Sequence, residues 1–532
     1  SMMKYDKRLL KNFYLNKGYY NVVINSSFAK MINDQEFELI FNIEANPKLF
    51  FGKLNINLPS DFSKSNYENI EKLFKKLENE PYSLYNVENI LEKIEIITIN
   101  EEYESIKATV KENIISNKIN INFNIEETEK IFIERINIFG NNITRESVIR
   151  NQIEIDEGDP FNEILYTKSL NNIKALNFFE SVKGEILDGN KYNSKIINIS
   201  IIEKATGEIF AGVGTGTEGS NLSFGIKENN YLGRGVKLDT NLSISDEKFK
   251  GKLLISNPNY KNSDKNLDLS LESTVTDRLS TAGYKSNVTG FSVGTKFEYL
   301  DDLTLGVSTK NLIEKITVDS TASSKQKKQE GNYFDSFIGL DFNYDKRNQK
   351  FQTTSGFFSN YSIDVPVLSE TNTLNNSYIY KIYKELYENN ISTFSLLFQS
   401  TTSLTGDDVK LSERLYIPGR KLRGFERGKV GPKDQSDFIG GNYISTLNAT
   451  TTVPKLLENV QNVDLVMFAD AANIWGVDYD DTLDNGEIRS SIGVGLDWLT
   501  PVGPLSFSLA QPISKHEDDI TETFRFNIGT TF

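Results

Sequence analysis

The sequence contains no cysteine and only one histidine, His516, which lies in the polar run SKHEDD. The lack of cysteine excludes disulfides, thiol nucleophiles and cysteine-ligated metals. A single histidine also argues against a Ser-His-Asp triad or a histidine-rich metal site. We therefore expect His516 to lie in an exposed loop, and we predict neither enzymatic activity nor a metal or other cofactor.

Long apolar runs are also missing, so no transmembrane helix is predicted. The first ten residues, SMMKYDKRLL, lack the apolar core of a signal peptide. Acidic residues (73) outnumber basic ones (59), and the net charge of −14 disfavours a nucleic-acid-binding protein. In contrast, the chain has 34 Phe and 24 Tyr, an abundance of aromatic residues that favours a fold rich in β-strands.

One sequence pattern recurs in the first part of the chain, up to about Lys204. It is a strand that ends in an acidic linker and is followed by another strand, and its matching residues are Glu44, Glu126 and Glu203. Self-similarity at the regular spacing of these glutamates predicts a row of small domains. In the last of them the pattern predicts a strand, two helices and two more strands, with Thr144 as the N-cap of the first helix.

This β-α-α-β-β order sets the predicted domain boundaries. Residues 47–127 and 128–206 each form one complete α+β unit, and residues 1–46 form the C-terminal part of a truncated one. The remaining residues, 207–532, form a separate domain without helices.

From residue 207 onward, apolar and polar residues alternate. The stretch GVKLDTNLSIS places Val236, Leu238 and Leu242 on one face of a strand, and NLDLSLE repeats the pattern. A soluble sandwich shows the same alternation, but strands of ten or more residues that continue without helices favour a membrane barrel. About sixteen strands fit between Ile209 and Phe532. We therefore predict a 16-stranded antiparallel transmembrane β-barrel, which leaves no open sheet edge in lipid.

Two motifs in this region match enzyme fingerprints by chance. GTGTEG (Gly214–Gly219) matches a dinucleotide-binding loop, and GFSVG (Gly290–Gly294) matches a nucleophile elbow around Ser292. Both fingerprints require a helix after the motif, whereas the residues around both motifs alternate like strands. The acidic run DYDDTLD (Asp478–Asp484) could hold Ca²⁺, but a solvated loop is the simpler interpretation.

A basic stretch, RKLRGFERGKVGPKD, stands out in this acidic chain. If the loop folds into the barrel, Arg423 is partly desolvated and needs a carboxylate partner. VDLVMFADAANIWG offers Asp470, with Phe468 on the same face of its strand. Gly424 would let the backbone approach the wall, as would Gly428, and Phe425 would add an apolar contact. The alternative is an exposed loop that binds lipopolysaccharide or nothing.

Taken together, these stretches resemble the Omp85 superfamily, in particular its BamA-type outer-membrane assembly factors. RLYIPGRKLRGFERGKVGPKD followed by GGN resembles the loop-six signature of the family, KENNYLGRG and YDKRNQKFQTTSG resemble its barrel hairpins, and FRFNIGTTF resembles its C-terminus. The β-α-α-β-β units resemble POTRA domains, of which such relatives usually have five.

The resemblance assigns roles to individual residues. The R-G-F motif of the family falls on Arg423, Gly424 and Phe425, and its wall motif falls on Phe468 and Asp470. Many relatives carry a glutamate where this chain has Thr450, so we expect Asp470 to pair with the arginine alone.

The resemblance also implies a lateral gate between the first and last barrel strands. Glycines weaken and bend a strand, and they are frequent in the first strand, GEIFAGVGTGTEG. The last strand, TETFRFNIGTTF, alternates aromatic residues and in the family is also an assembly signal. The predicted gate and signal residues are Gly212, Gly214, Gly216, Phe524, Phe526, Ile528, Gly529 and Phe532.

By this resemblance the protein folds and inserts β-barrel proteins into the outer membrane of a Gram-negative bacterium, with its POTRA domains in the periplasm. The implied partners are unfolded outer-membrane proteins, outer-membrane lipid and lipopolysaccharide, and Bam-type lipoproteins that dock on the POTRA domains. Two alternatives remain open: a TamA-like or two-partner-secretion transporter of the same superfamily, and a passive porin with periplasmic modules.

Overall fold

The computed structural model describes residues 2–33, 36–60, 62–100, 106–127, 130–263, 265–350, 353–386, 390–453, 463–484, 486–500 and 503–529. The chain divides into two compact units, Ser1–Lys204 and Ala205–Phe532. Among the described residues, no helix has the length and apolar character needed to cross a bilayer.

The first unit contains three successive groups of elements. The first group is a helix and an antiparallel hairpin: Met2–Leu15, Val23–Asn33 and Glu36–Glu44. The second group comprises Phe50–Asn57, the 3-10 turn Lys64–Tyr67, the helices Glu68–Leu77 and Leu84–Asn100, and the strands Ile106–Ile115 and Lys118–Glu127. The third group comprises Phe132–Phe139, the helices Glu146–Arg150 and Glu163–Ala175, and the strands Phe179–Asp188 and Ser194–Glu203.

The second and third groups have the predicted β-α-α-β-β order. In each, the last strand lies in the middle of a three-stranded sheet, parallel to the first strand and antiparallel to the second. Alternation along the middle strand explains the packing: Ile119, Ile121 and Phe123 are fully buried in the core with the helices. Intervening asparagines face the other way, where Asn122 pairs with Asn55.

The predicted helix cap at Thr144 is wrong. The helix begins at Glu146, and Arg145 occupies the N-cap position without a capping side chain. Glu203, the repeated glutamate, organises this turn instead. Its carboxylate accepts backbone N–H bonds from Asn142, Ile143 and Thr144 at 2.9, 2.9 and 2.6 Å. Three donors converge on one carboxylate, so the connection is fixed without a hydroxyl cap.

The second unit is a closed barrel of sixteen antiparallel strands, as predicted. In chain order they are β1 Gly207–Gly216, β2 Gly219–Tyr231, β3 Val236–Ser245, β4 Lys248–Asn257, β5 Leu267–Arg278, β6 Tyr284–Leu300, β7 Leu303–Val318, β8 Gly331–Asp345, β9 Gly356–Ser369, β10 Thr373–Glu385, β11 Ile391–Ser403, β12 Tyr443–Thr452, β13 Val463–Trp475, β14 Arg489–Thr500, β15 Gly503–Ser514 and β16 Phe524–Gly529. Short helices occupy Leu279–Ala282 and Ser324–Lys327, and 3-10 turns occupy Tyr260–Asn262, Gly419–Lys421 and Asp481–Leu483.

Alternation along the barrel strands separates an apolar outer face from a polar inner one. On β5 and β6, Leu271 and Phe291 are exposed on the outside. Ser270 and Ser292 hydrogen-bond to each other at 2.7 Å on the opposite face. An apolar exterior and a polar interior are typical of a membrane barrel. Ser292 thus lies inside a strand, and the GTGTEG motif forms the β1–β2 hairpin, so neither enzyme fingerprint has its required context.

The chain between β11 and β12, residues 404–442, is the longest inter-strand connection and is called loop six below. It packs against the inner wall, where Leu422 and Phe425 share a buried core with Ile444 and Ile474. Loop six contains a short hairpin of two strands with two residues each, Lys433–Asp434 and Asp437–Phe438.

Candidate functional site

Loop six meets the barrel wall at Arg423. Its guanidinium donates to Asp470 through Nε, at 2.7 Å from Oδ2, and through Nη2, at 2.8 Å from Oδ1. The backbone N–H of Arg423 also donates to Oδ2 at 3.1 Å. The Asp470 side chain is 0% exposed and the Arg423 side chain is 17% exposed. This contact is a bidentate, charge-assisted salt bridge, which is among the strongest contacts that an arginine and a carboxylate can form.

The wall around the ion pair supplies three further contacts. Phe468 lies on the same inner face of β13, and its ring centroid is 3.4 Å from the Arg423 Cζ, a cation–π contact. Thr450 is the register partner of Phe468 on β12, and its hydroxyl accepts from Arg423 Nη2 at 3.4 Å. Asn448 donates to Asp470 at 2.9 Å. Asp470 therefore does not hold the arginine alone, and the weak Thr450 contact adds a second acceptor.

The glycines of the motif differ in their surroundings. Gly424 has φ +93°, and a Cβ there would lie 3.2 Å from the Ala510 Cβ and 3.3 Å from the Ser491 Cβ. Gly428 has φ +73°, but no atom would lie within 4 Å of its Cβ. Gly424 thus combines a left-handed backbone with a close approach to the wall, whereas Gly428 needs only the turn. Phe425 is 1% exposed and fills the space beside them.

Loop six also pairs with the connection between β15 and β16. Phe425 and Thr521 form an antiparallel bridge. The N–H of Glu426 donates to the carbonyl of Ile520 at 2.8 Å, and that of Glu522 donates to Gly424 at 3.0 Å. The residues that lead into the last strand are therefore held by loop six. Nothing in the sequence pattern indicates this pairing.

Arg525, on β16, is a second arginine at the site that sequence analysis missed. It donates to the carbonyls of Gly419 and Phe425, both at 2.6 Å, and forms ion pairs with Glu218 and Glu522, both at 2.8 Å. The sequence does contain a clue. In an alternating strand, a basic residue between Phe524 and Phe526 must face the barrel interior.

The seam between β1 and β16 closes the barrel. Among the described residues it consists of three register pairs, Asn527–Gly216, Ile528–Thr215 and Gly529–Gly214, whereas β1 and β2 share ten. Gly529 has φ +131°, and a Cβ there would lie 2.2 Å from the Val213 carbonyl oxygen.

The other predicted gate residues lie close to this junction. Gly212 and Gly214 are buried on the inner side of β1, and Gly216 is half-buried. Phe524 and Phe526 stack with their ring centroids 6.1 Å apart, and both Phe524 and Ile528 are exposed. Phe532 lies outside the described residues.

Two charge clusters that the sequence analysis also missed lie deeper in this unit. Arg489 and Asp519 pair at 2.9 Å with both side chains 0% exposed. Lys410 contacts Glu314 at 3.1 Å and Glu413 at 3.3 Å, and it also contacts Asp335. His516 lies in a loop, and its side chain is 20% exposed, so it is less open to solvent than expected.

Two protein-family models match parts of the chain. The family model described as the Omp85 superfamily domain matches residues 230–532. The POTRA model, described as a surface antigen variable number repeat, matches residues 131–204.

Two relatives named outer membrane protein assembly factor BamA match nearly the whole chain. The one from Neisseria meningitidis serogroup B is 22% identical over 589 residues, which is 99% of this chain and 72% of its own length. The one from Neorickettsia risticii is 23% identical over 564 residues, which is 100% of this chain and 72% of its own length.

Among solved structures, BamA from Haemophilus ducreyi lacking POTRA domains 1–3 has the same fold. Its TM-score is 0.72 at 22% identity, over 91% of this chain and 100% of that chain. Since the superfamily model covers more than half of the sequence, the chain belongs to the Omp85 superfamily.

Proposed function

We propose that this protein is a BamA-like assembly factor that folds and inserts β-barrel proteins into an outer membrane. The relatives that match the whole chain carry that name, and the barrel with its preceding α+β groups has the same fold as a BamA structure. The observation that carries the mechanism is the glycine pairing in the described part of the seam, where Gly214 faces Gly529 and the left-handed backbone of Gly529 leaves no room for a side chain.

The physical problem for such a protein is the backbone of its client. An unpaired N–H or C=O group costs several kcal/mol in hydrocarbon, so a strand cannot enter the bilayer bare. A barrel that opens at one seam offers the edge of β1 as a template for the first client strand. Gly214 faces Gly529 in this seam, and glycine adds no side-chain packing between paired strands, so β1 and β16 are the strands that separate.

The loop-six site has a supporting role in this proposal. Arg423 and Asp470 hold the loop on the wall at β13, and the next residues, Gly424 to Glu426, pair with the residues before β16. Loop six thus fixes the position of the last strand relative to β13, a part of the wall that does not open. This arrangement favours an assembly factor over a passive porin, because a static pore has no need to position its last strand.

The proposed function implies a location in the outer membrane and partners on both sides of it. The barrel lies in the outer membrane, where it contacts lipid and lipopolysaccharide, and the POTRA groups lie in the periplasm. Their sheets expose edge strands, such as Ile106–Ile115 and Phe179–Asp188, that can accept an extended client segment. Lipoproteins of the Bam type are the expected accessory partners of these groups.

A disulfide across the seam tests the proposal. The chain has no cysteine, so Thr215→Cys with Ile528→Cys introduces a single pair at opposed positions of β1 and β16. We expect oxidation to abolish insertion of an unfolded outer-membrane protein into liposomes, and reduction to restore it. The readout is the heat-sensitive gel mobility of the folded client.

A matched pair controls for the effect of a disulfide as such. Val293→Cys with Thr309→Cys bridges β6 and β7, which are opposed in the same way on another part of the wall. This variant should remain active when oxidised. Full insertion by the oxidised seam variant would rule out the lateral gate.

A further inference from the structure

We propose that Arg525 is a positioning residue that couples the seam to loop six. Glu218, Arg525 and the carbonyls of Gly419 and Phe425 form what we call the seam clasp. The inference rests on the proposed opening between β1 and β16. It adds the residues that hold this seam closed and predicts which parts of the protein move together when it opens.

The clasp joins the two sides of the seam. Glu218 lies in the turn between β1 and β2, and Arg525 lies on β16. Their Oε1 and Nη1 atoms are 2.8 Å apart. Beside them, the N–H of Thr217 donates to the carbonyl of Phe526 at 3.1 Å. The ion pair therefore continues the seam beyond its last register pair, Asn527–Gly216.

The remaining donors of Arg525 are directed to its own side of the seam. Nη1 donates to Gly419 and Nη2 to Phe425, so the plane of the guanidinium is held by two loop-six carbonyls. Nε donates to Glu522, three residues earlier in the chain, at 2.9 Å. These three contacts hold the guanidinium in place, and Glu218 Oε1 lies 2.8 Å from Nη1 as a charge contact without hydrogen-bond geometry.

This division of contacts determines what separates when the seam opens. If β1 moves away from β16, the Glu218 contact is the one that breaks, and Arg525 keeps its carbonyl partners. Loop six therefore stays with β16, to which it is also joined by the Phe425–Thr521 bridge. The first hairpin, β1–β2, is then the moving part.

Burial makes the ion pair significant for the closed state. The Arg525 side chain is 5% exposed and that of Glu218 is 21% exposed, so solvent screens their attraction only weakly. The same contact on the surface would contribute little. A second cation, Arg427 of loop six, lies 3.8 Å from the other Glu218 oxygen and adds to the hold on this turn.

Spin labels on either side of the seam can measure the clasp without a client. We would label Ile226→Cys on β2 and Leu509→Cys on β15, since both side chains are exposed and the chain contains no other cysteine. Distances would be measured by pulsed electron paramagnetic resonance on the full chain in lipid nanodiscs. Glu218→Gln keeps the shape of the side chain and removes its charge.

We expect Glu218→Gln to raise the ratio of long to short distances at least tenfold, and Arg525→Gln to raise it as much or more. In the double variant, the effect of Glu218→Gln should be much smaller, because only the longer contact with Arg427 is left to lose. The matched control is Asp364→Asn, which neutralises a partner of Lys310 at 2.7 Å, on β7 and β9 away from the seam. It should leave the distances unchanged.

An unchanged distance distribution in Glu218→Gln would overturn the clasp, as would additive effects in the double variant. Glu218→Gln alone suffices for this decision if Arg525→Gln fails to fold. These distances do not depend on client insertion, so a failed clasp leaves the proposed function standing. Conversely, an unmodified protein that inserts no client would refute the proposed function without touching the clasp result.

Discussion

At the scale of single residues, Arg423 and Asp470 each compensate the charge of the other inside the barrel. Asp470 has no exposed side-chain surface, so its charge must be matched by donors inside the barrel. Arg423 provides three N–H bonds to it and Asn448 provides one more. The ring of Phe468 covers the face of the guanidinium and limits the approach of water.

Removing the arginine should therefore cost more than one hydrogen bond. We expect Arg423→Ala to lower the free energy of unfolding of the barrel by about 3 kcal/mol, because it leaves the buried carboxylate of Asp470 without its cation. The measurement is the temperature at which the barrel loses its compact mobility on semi-native gels.

A more exposed ion pair in the barrel serves as the control. Lys250 on β4 pairs with Glu272 on β5 at 2.8 Å, and both side chains are about 40% exposed. Lys250→Ala should change stability by no more than about 0.5 kcal/mol. Equal gel transitions for Arg423→Ala and the unmodified protein would mean that the pair contributes nothing to holding the barrel together.

At the scale of elements, alternation in the sequence was enough to predict sixteen strands and their inner and outer faces. The positions of Leu271 and Ser270 on opposite faces of β5 follow directly from the period of two. The helix start near Thr144 was predicted wrongly, because a threonine before a helix suggests a cap. The donors of that turn instead go to Glu203, 59 residues further along the chain.

The site was predictable only where a motif marks it. Arg423 and Asp470 were singled out as partners from the sequence, and the structure places them in contact. The roles of Glu218 and Asn448 could not be predicted, because they depend on which strands close the barrel and in what register. Arg525 could be assigned to the inner face of β16 but not to a partner, since its partners lie on loop six and the first hairpin.

Glu203 also gives the third α+β group a pH dependence. Burial raises the pKa of Glu203, but hydrogen bonds from Thr144 and from the backbone of Ile143 and Asn142 outweigh burial, and the pKa falls below its ordinary value of 4.5. A lowered pKa in the folded state means that ionised Glu203 stabilises the fold above about pH 4.5. This contribution should be lost as the pH falls from 4.5 through the lower, folded-state value.

The test compares urea midpoints at pH 7, 5 and 3, followed by the circular dichroism of the helices. The unmodified protein should lose stability between pH 5 and pH 3. Glu203→Gln should be less stable at pH 7 and show a smaller loss, since its amide cannot gain a proton in this range. A pH profile of the variant that parallels that of the unmodified protein would show that other carboxylates dominate.

At the scale of the whole molecule, the two units are stabilised by different means. The first unit depends on separate apolar cores, one around Phe51, Ile90 and Phe123 and another in the group after it. The barrel is stabilised by a continuous ring of strand pairing and by loop six on its inner wall. Because each buried core of the described residues belongs to one unit, their unfolding is not expected to be a single two-state transition.

Two buried phenylalanines, one in each unit, test this separation. Phe51 is 0% exposed and Phe425 is 1% exposed, so truncation of either to alanine should cost its own unit about 3–5 kcal/mol. Phe51→Ala should lower the urea midpoint of the helical signal and leave the gel transition of the barrel unchanged, and Phe425→Ala should do the reverse. Each variant is the control for the other. If both variants shifted both transitions equally, the two units would have to unfold as one.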